Sequence, residues 1–324
     1  MIVTEVNRLF GLKYPIIQGG MAWISDGKLA AAVSNAGGLG VISAINEGPE
    51  ALRREIETCR SLLRDGRLPF AVNIMLMSPL AAAAADIVVE MKVPVVITGA
   101  GLPTPYMKKW LAASIQVVPV APSTGVAKMA ARLGACAVVA EGGESGGHVG
   151  DLTTMVLTPQ VADAVSIPVI AAGGIADGRG VAAALLLGAA GVQCGTCFLP
   201  AKECGVHANY KRKILEAKDI DTIVTGKRLG HPVRSLKNAF SRQFADMEYD
   251  AAVSDRQIEA FGSGALRRAA LDGDVQNGSV MAGQCAAMLH EEKTAEQIIA
   301  DMFREAQDAL SAADRFLSKE EPHA

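Results

Sequence analysis

Short, nearly unbroken apolar runs recur along the chain at a fairly even spacing, each followed by a polar or glycine turn and then a stretch of helical composition. The runs are residues 14–18, 39–43, 70–76, 93–98, 116–121, 135–140, 169–172 and 192–194. Continuous runs of this kind belong to parallel strands buried on both faces; half-exposed strands alternate apolar and polar positions instead. Helices are predicted over 26–36, 49–63, 79–91, 103–113, 123–133 and 179–187, with Asp26, Ser123 and Asp177 placed to cap and Gly188 placed to stop. Eight strands alternating with helices predict a (β/α)8 TIM barrel with a C-terminal helical extension; a doubly wound open sheet is the lesser alternative.

The stretch 168–196 carries the clearest site signal. Two consecutive strands end in Gly173-Gly174 and Gly195-Thr196, which exposes backbone N–H groups at one end of the sheet. Turns after the seventh and eighth strands of a barrel are where a phosphate is gripped by main chain and a helix N-terminus. Other polar residues at strand ends or in the following loops are Gln18, Asn73, Thr98, Ser123, Glu141 and His148. Asn73 interrupts an apolar strand, and a buried amide without partners costs about 1–3 kcal/mol. His148 sits among glycines in Gly146-Gly147-His148-Val149-Gly150, suited to proton transfer near neutral pH. No Ser–His–Asp arrangement or metal-ligand spacing is present, so a phosphate-bearing cofactor is expected to supply the reactivity.

Composition narrows the picture. Half of the 324 residues are hydrophobic and the formal net charge is −3, which gives no general case for nucleic acid or membrane binding. No leader or membrane span is evident, and a cytoplasmic protein is expected. The six cysteines lie in apolar or small-residue settings, as reduced thiols would, Cys194-x-x-Cys197 included. The domain reading is a barrel over 1–200, a basic segment over 201–253, and C-terminal helices over 254–324 that pack back on the barrel. Within 202–242 there are ten Lys or Arg against four Asp or Glu. That segment reads either as a solvated helical excursion or as a docking face for an acidic partner. Helices are expected over 254–271, 279–290 and 294–317, followed by a polar tail from Ser318.

QGGMAW at 18–23, VNIML at 72–76, EGGESGGHVG at 141–150, AAGGIADG at 171–178, QCGT at 193–196, GHPVRSLKN at 230–238 and GSVMAGQ at 278–284 form an ordered set. It resembles the FMN-dependent enoyl-[acyl-carrier-protein] reductase II family, relatives of the nitronate monooxygenases. The resemblance implies bound FMN, with NADH or NADPH as reductant and an enoyl thioester on acyl carrier protein as substrate. It implies that Gly173, Gly174, Gly195 and Thr196 hold the FMN phosphate, and that Gly20, Met21 and Asn73 lie against the flavin ring. Glu141 and Gln193 would stand near the ribityl chain, Gly146 and Gly147 by the flavin beneath His148, and Met281 would approach from the C-terminal helices. His148 would be the catalytic residue, and Lys211, Arg212, Lys213, Lys227 and Arg228 a docking face for the carrier. Dimers and a response to monovalent cations are family expectations. The reductases often place Arg after the Gly-Thr pair, where this chain has Cys197. A nitronate monooxygenase, with O2 as oxidant, and a non-catalytic sensor of a phosphorylated metabolite are the alternatives.

Overall fold

The computed structural model describes residues 1–44 and 48–313. Eight parallel strands form one sheet: β1 (Ile16–Gln18), β2 (Gly40–Ser43), β3 (Phe70–Met75), β4 (Val95–Gly99), β5 (Gln116–Ala121), β6 (Val138–Glu141), and, after the two-residue β7 (Gly147–His148), β8 (Val169–Ala172) and β9 (Gly191–Cys194). Each pairs in parallel with its neighbour in the order β1-β9-β8-β6-β5-β4-β3-β2. The ring closes through a bridge from Ile17 to Leu39, with Gln18 N donating to Leu39 O and Leu39 N to Ile16 O. The predicted TIM barrel is therefore present.

Alternate strand positions turn inward, and Ile17, Val41, Ala71, Val95, Ile97, Val118, Val139 and Ile170 fill the interior. A helix not foreseen in the sequence, α1 (Glu5–Phe10), packs Val6 and Phe10 into that same cluster. Helices α2 (Gly27–Asn35), α3 (Pro49–Leu62), α4 (Ala81–Glu90), α5 (Thr104–Ala112), α6 (Thr124–Arg132), α7 (Thr154–Ala164) and α8 (Gly178–Leu186) cover the outside. Asp26, Ser123 and Asp177 accept from backbone N–H groups of Leu29, Val126 and Gly180, as N-caps do.

The basic segment is not the helical excursion expected of it. After α9 (Ala208–Leu215) comes an antiparallel hairpin, β10 (Thr222–Thr225) and β11 (Val233–Leu236), and β7 joins it as a third strand through Val233↔His148 and Arg234↔Gly147. Then follow α10 (Ala239–Tyr249), α11 (Asp255–Gly262) and α12 (Ala265–Ala270). The helix expected over 254–271 is broken at Ser263-Gly264, where Gly264 has φ +70°. Residues 279–290 form no α-helix: Met281 bridges Ser235 of the hairpin, and a 3-10 turn covers Gln284–Met288. The last helix, α13 (Ala295–Ser311), packs on α8 so closely that a Cβ on Gly178 would stand 2.3 Å from Ala306 N. The tail from Ser318 and the last residues of the helix expected over 294–317 lie outside the described residues. Among the described residues, no helix is long and apolar enough to cross a membrane.

Candidate active site

The C-terminal ends of the barrel strands open into a cavity of about 440 Å³, within the range of about 300–1,000 Å³ usual for cofactor and ligand sites. Its wall contains Gly20, Met21, Asn73, Glu141, Gly146, Gly147, His148, Gly173, Gly174, Gln193, Gly195, Thr196 and Met281. Ser43, Met75, Leu199, Leu266 and Cys285 also line it and were not foreseen. Ser43 ends a strand and could have been found by the rule that located Asn73; the other four depend on tertiary packing. Three of the expected mouth residues do not line it. Gln18 is fully buried, donating to Gly19 O and to Ser25 Oγ (2.8 Å) and accepting from Val41 N (3.0 Å). Thr98 is buried beneath the floor, and Ser123 caps α6.

The first loop is shaped by Ser25, whose hydroxyl accepts from Met21 N at 2.8 Å and contacts Gln18 and the Gly19 carbonyl. This draws Gly20 onto β3, where an added Cβ would stand 2.4 Å from Asn73 Cβ. Only glycine permits that approach. At the opposite wall, Gly173 and Gly174 have φ of +100° and +74°. The Thr196 hydroxyl accepts from Gly283 N at 2.9 Å and so ties this turn to the segment that carries Met281. Cys197 lies behind it in the apolar core, and a hydrogen bond with Cys194 together with burial pushes its thiol well up.

The loop carrying His148 is held from three sides. Arg234 donates through Nε and Nη2 to Gly143 O (3.0 and 2.8 Å) and through Nη1 to Thr222 Oγ1 (2.9 Å). The Glu144 carboxylate accepts from Thr154 N at the start of α7, and Glu144 O accepts from Gln284 N at 2.9 Å. The buried Tyr210 hydroxyl donates to Met281 O at 2.8 Å, which sets Met281 Sδ 3.7 Å from where a Cβ on Gly147 would lie. His148 is open to the mouth, yet the protein around it, and His231 after that, hold its imidazole below the usual value. Burial pushes Glu141 up to about 7.

The basic residues of the segment are mostly exposed, but some are committed to the protein itself. Lys211 is buried, with Nζ donating to Ala201 O at 2.6 Å. Arg228 donates to Asp255 Oδ1 and to the carbonyls of Glu248, Asp250 and Val253. Lys211 is not available to a docking face, which corrects the expectation for it; Arg212, Lys227 and Arg228 are exposed and Lys213 is half-buried.

The residues present fit an FMN-sized group. Gln193 Oε1 is buried at the wall without a partner among the described residues, in a structure where buried polar atoms ordinarily have one. Gly20 lies against Asn73 too closely to admit a Cβ, and both residues line the cavity. The two glycine turns suit a phosphate.

A family model described as nitronate monooxygenase matches residues 4–87 and 81–305. The chain belongs to the nitronate monooxygenase family. Within that family it is similar to FabK from Thermotoga maritima, at 45% identity and a TM-score of 0.94, over 98% of this chain and all of that one. It is 34% identical to a probable nitronate monooxygenase of Staphylococcus saprophyticus, over 95% of this chain and 99% of that protein. A third relative is the (3aS,4S,5R,7aS)-5-hydroxy-7a-methyl-1-oxo-octahydro-1H-indene-4-carboxyl-CoA dehydrogenase of Rhodococcus jostii, 39% identical over 72% of this chain and 65% of that one. As a member of this family the chain is an oxidoreductase.

Proposed function

We propose that this family member is an FMN-dependent enoyl-acyl carrier protein reductase, using NADH or NADPH to saturate the double bond of a trans-2-enoyl thioester. The observation that carries the reading is the whole-length likeness to FabK, joined to a mouth where His148 stands beside the glycine cradle. Bound FMN would supply the hydride chemistry. Gly173, Gly174, Gly195 and Thr196 would hold its phosphate, Gly20, Met21 and Asn73 its ring, and Glu141 and Gln193 the ribityl chain. Glu141, protonated over much of the neutral range, can donate to a hydroxyl there as well as accept from one.

His148 has a defined task in this scheme. Its imidazole is held neutral at pH 7, so it offers an N–H to the thioester carbonyl, where negative charge grows as the β-carbon accepts hydride. Pairing with Val233 of the hairpin keeps His148 in place. The carrier would dock by way of Arg212, Lys213, Lys227 and Arg228, without Lys211.

The test is anaerobic. Reduced by NADH and then mixed with crotonyl thioester, the holoenzyme is expected to recover its oxidised flavin absorbance. Failure to do so, with O2 consumed in step with loss of a nitroalkane or its nitronate when NADH is left out, would establish the second reading, a nitronate monooxygenase, which the name of the Staphylococcus relative favours. His148→Ala should keep its yellow colour and lose about 10²–10⁴-fold in turnover with the thioester. Near-wild-type turnover would remove His148 from the mechanism.

A further inference from the structure

Trp23 has φ +65°, a left-handed backbone that bulky side chains rarely take. Strain of this kind persists where the surroundings over-determine it, and it gathers at ligand sites. Here the determinant is the Gly19-to-Ser25 turn. The Trp23 indole lines the main cavity and also a smaller one of about 190 Å³ beside it. It is therefore both rim and partition.

Over the indole lies the guanidinium of Arg267, its Cζ 5.8 Å from the ring centroid. Arg267 is on α12 next to Leu266, which lines the main cavity. Its carboxylate partner is Asp272, at 3.5 Å, and both side chains are about half exposed. Neighbouring cations are engaged differently: Arg268 donates to the carbonyls of Ser263 and Asn277, and Arg234 to that of Gly143. An exposed ion pair of this length contributes little and yields to a stronger anion. A guanidinium within about 6 Å of an indole face is attracted to it, and its N–H groups can still reach an oxyanion.

We propose that Trp23 and Arg267 form a phosphate-recognition site at the cavity mouth. Its ligands are the phosphate groups of the arms that deliver reacting ends to the cavity: the phosphopantetheine arm of an acyl thioester, and the pyrophosphate of a nicotinamide dinucleotide. Both halves of this inference rest on the reductase reading, and flavin reduction by NADH is measured apart from thioester turnover so that the two can fail separately.

The experiment compares wild type with Arg267→Gln and Arg267→Lys as flavin-loaded enzymes of matched absorbance. Crotonyl-CoA carries phosphates, and crotonyl-N-acetylcysteamine has the same reacting end without them. Arg267→Gln should raise KM for crotonyl-CoA about tenfold or more, as loss of a charge-assisted hydrogen bond does. It should leave kcat, and KM for the phosphate-free thioester, within twofold, and Arg267→Lys should recover part of the loss. In a separate arm, the NADH concentration giving half-maximal rate of anaerobic flavin reduction is measured. A rise there assigns the site to the dinucleotide as well; a rise confined to one arm assigns the phosphate to that source. Equal effects on both thioesters, or no change in either arm, overturn the proposal. If neither thioester turns over in wild type, the reductase reading fails, and the NADH arm alone decides whether Arg267 grips a phosphate.

Discussion

Glu141 closes β6 with its carboxyl inside the cavity wall, and burial moves its proton affinity to about pH 7 from the usual 4.5. Between those values the folded protein holds a proton that the unfolded chain has released. Stability of the flavin-free protein should therefore fall as pH rises from about 4.5 to 7, by up to about 1.4 kcal/mol per unit. Urea unfolding at pH 5 and pH 7.5 measures this, and Glu141→Gln should flatten that dependence. Equal slopes in the two proteins would show that Glu141 is not its source. Sequence pattern marked Glu141, but it could not rank the two amides in apolar strands. Gln18 and Asn73 look alike in the chain. Gln18 is enclosed by Gly19, Ser25 and Val41, whereas Asn73 faces the cavity. What separates them is which partners the fold brings near, and this is written in other parts of the chain.

At the scale of elements, the β10–β11 hairpin was the least legible. Thr222–Thr225 and Val233–Leu236 are four residues each, half polar, and surrounded by a conspicuous excess of basic residues. The charge invited a docking interpretation, while part of it satisfies carbonyls internally. Arg234 shows what the hairpin does. It spans from Thr222 to the carbonyl of Gly143, so it positions the loop that presents His148. Arg234→Ala is expected to destabilise the protein by about 2–3 kcal/mol through the charge-assisted bonds lost. It should also weaken FMN binding in fluorescence titration and lower kcat more than it raises KM. Arg234→Lys, which keeps one donor, should recover part of the FMN affinity. A stability loss with FMN affinity and kcat unaltered would reduce Arg234 to a structural tie.

The barrel as a whole was the most legible part, because eight buried parallel strands leave an apolar signature that needs no tertiary information. The pairing of β1 with β9, the α1 helix at the base and the close seat of α13 on α8 depend on residues distant in the chain. The same distance has a kinetic meaning for the His148 loop. Arg234 reaches back 91 residues to Gly143, and Gly283 reaches back 87 to Thr196. Neighbouring strand–helix units can pair long before either tie closes, since contacts far apart in sequence form late. The pocket should accordingly mature last. On dilution from urea, circular dichroism should regain its native value in an earlier phase than the quenching of added flavin. FMN present from the start should leave that first phase unaccelerated. Simultaneous recovery of both signals would mean that the loop is fastened as the barrel assembles. Ordered as expected, they describe a chain that pairs its neighbouring strands first and becomes a holder of cofactor only after its C-terminal third has come home.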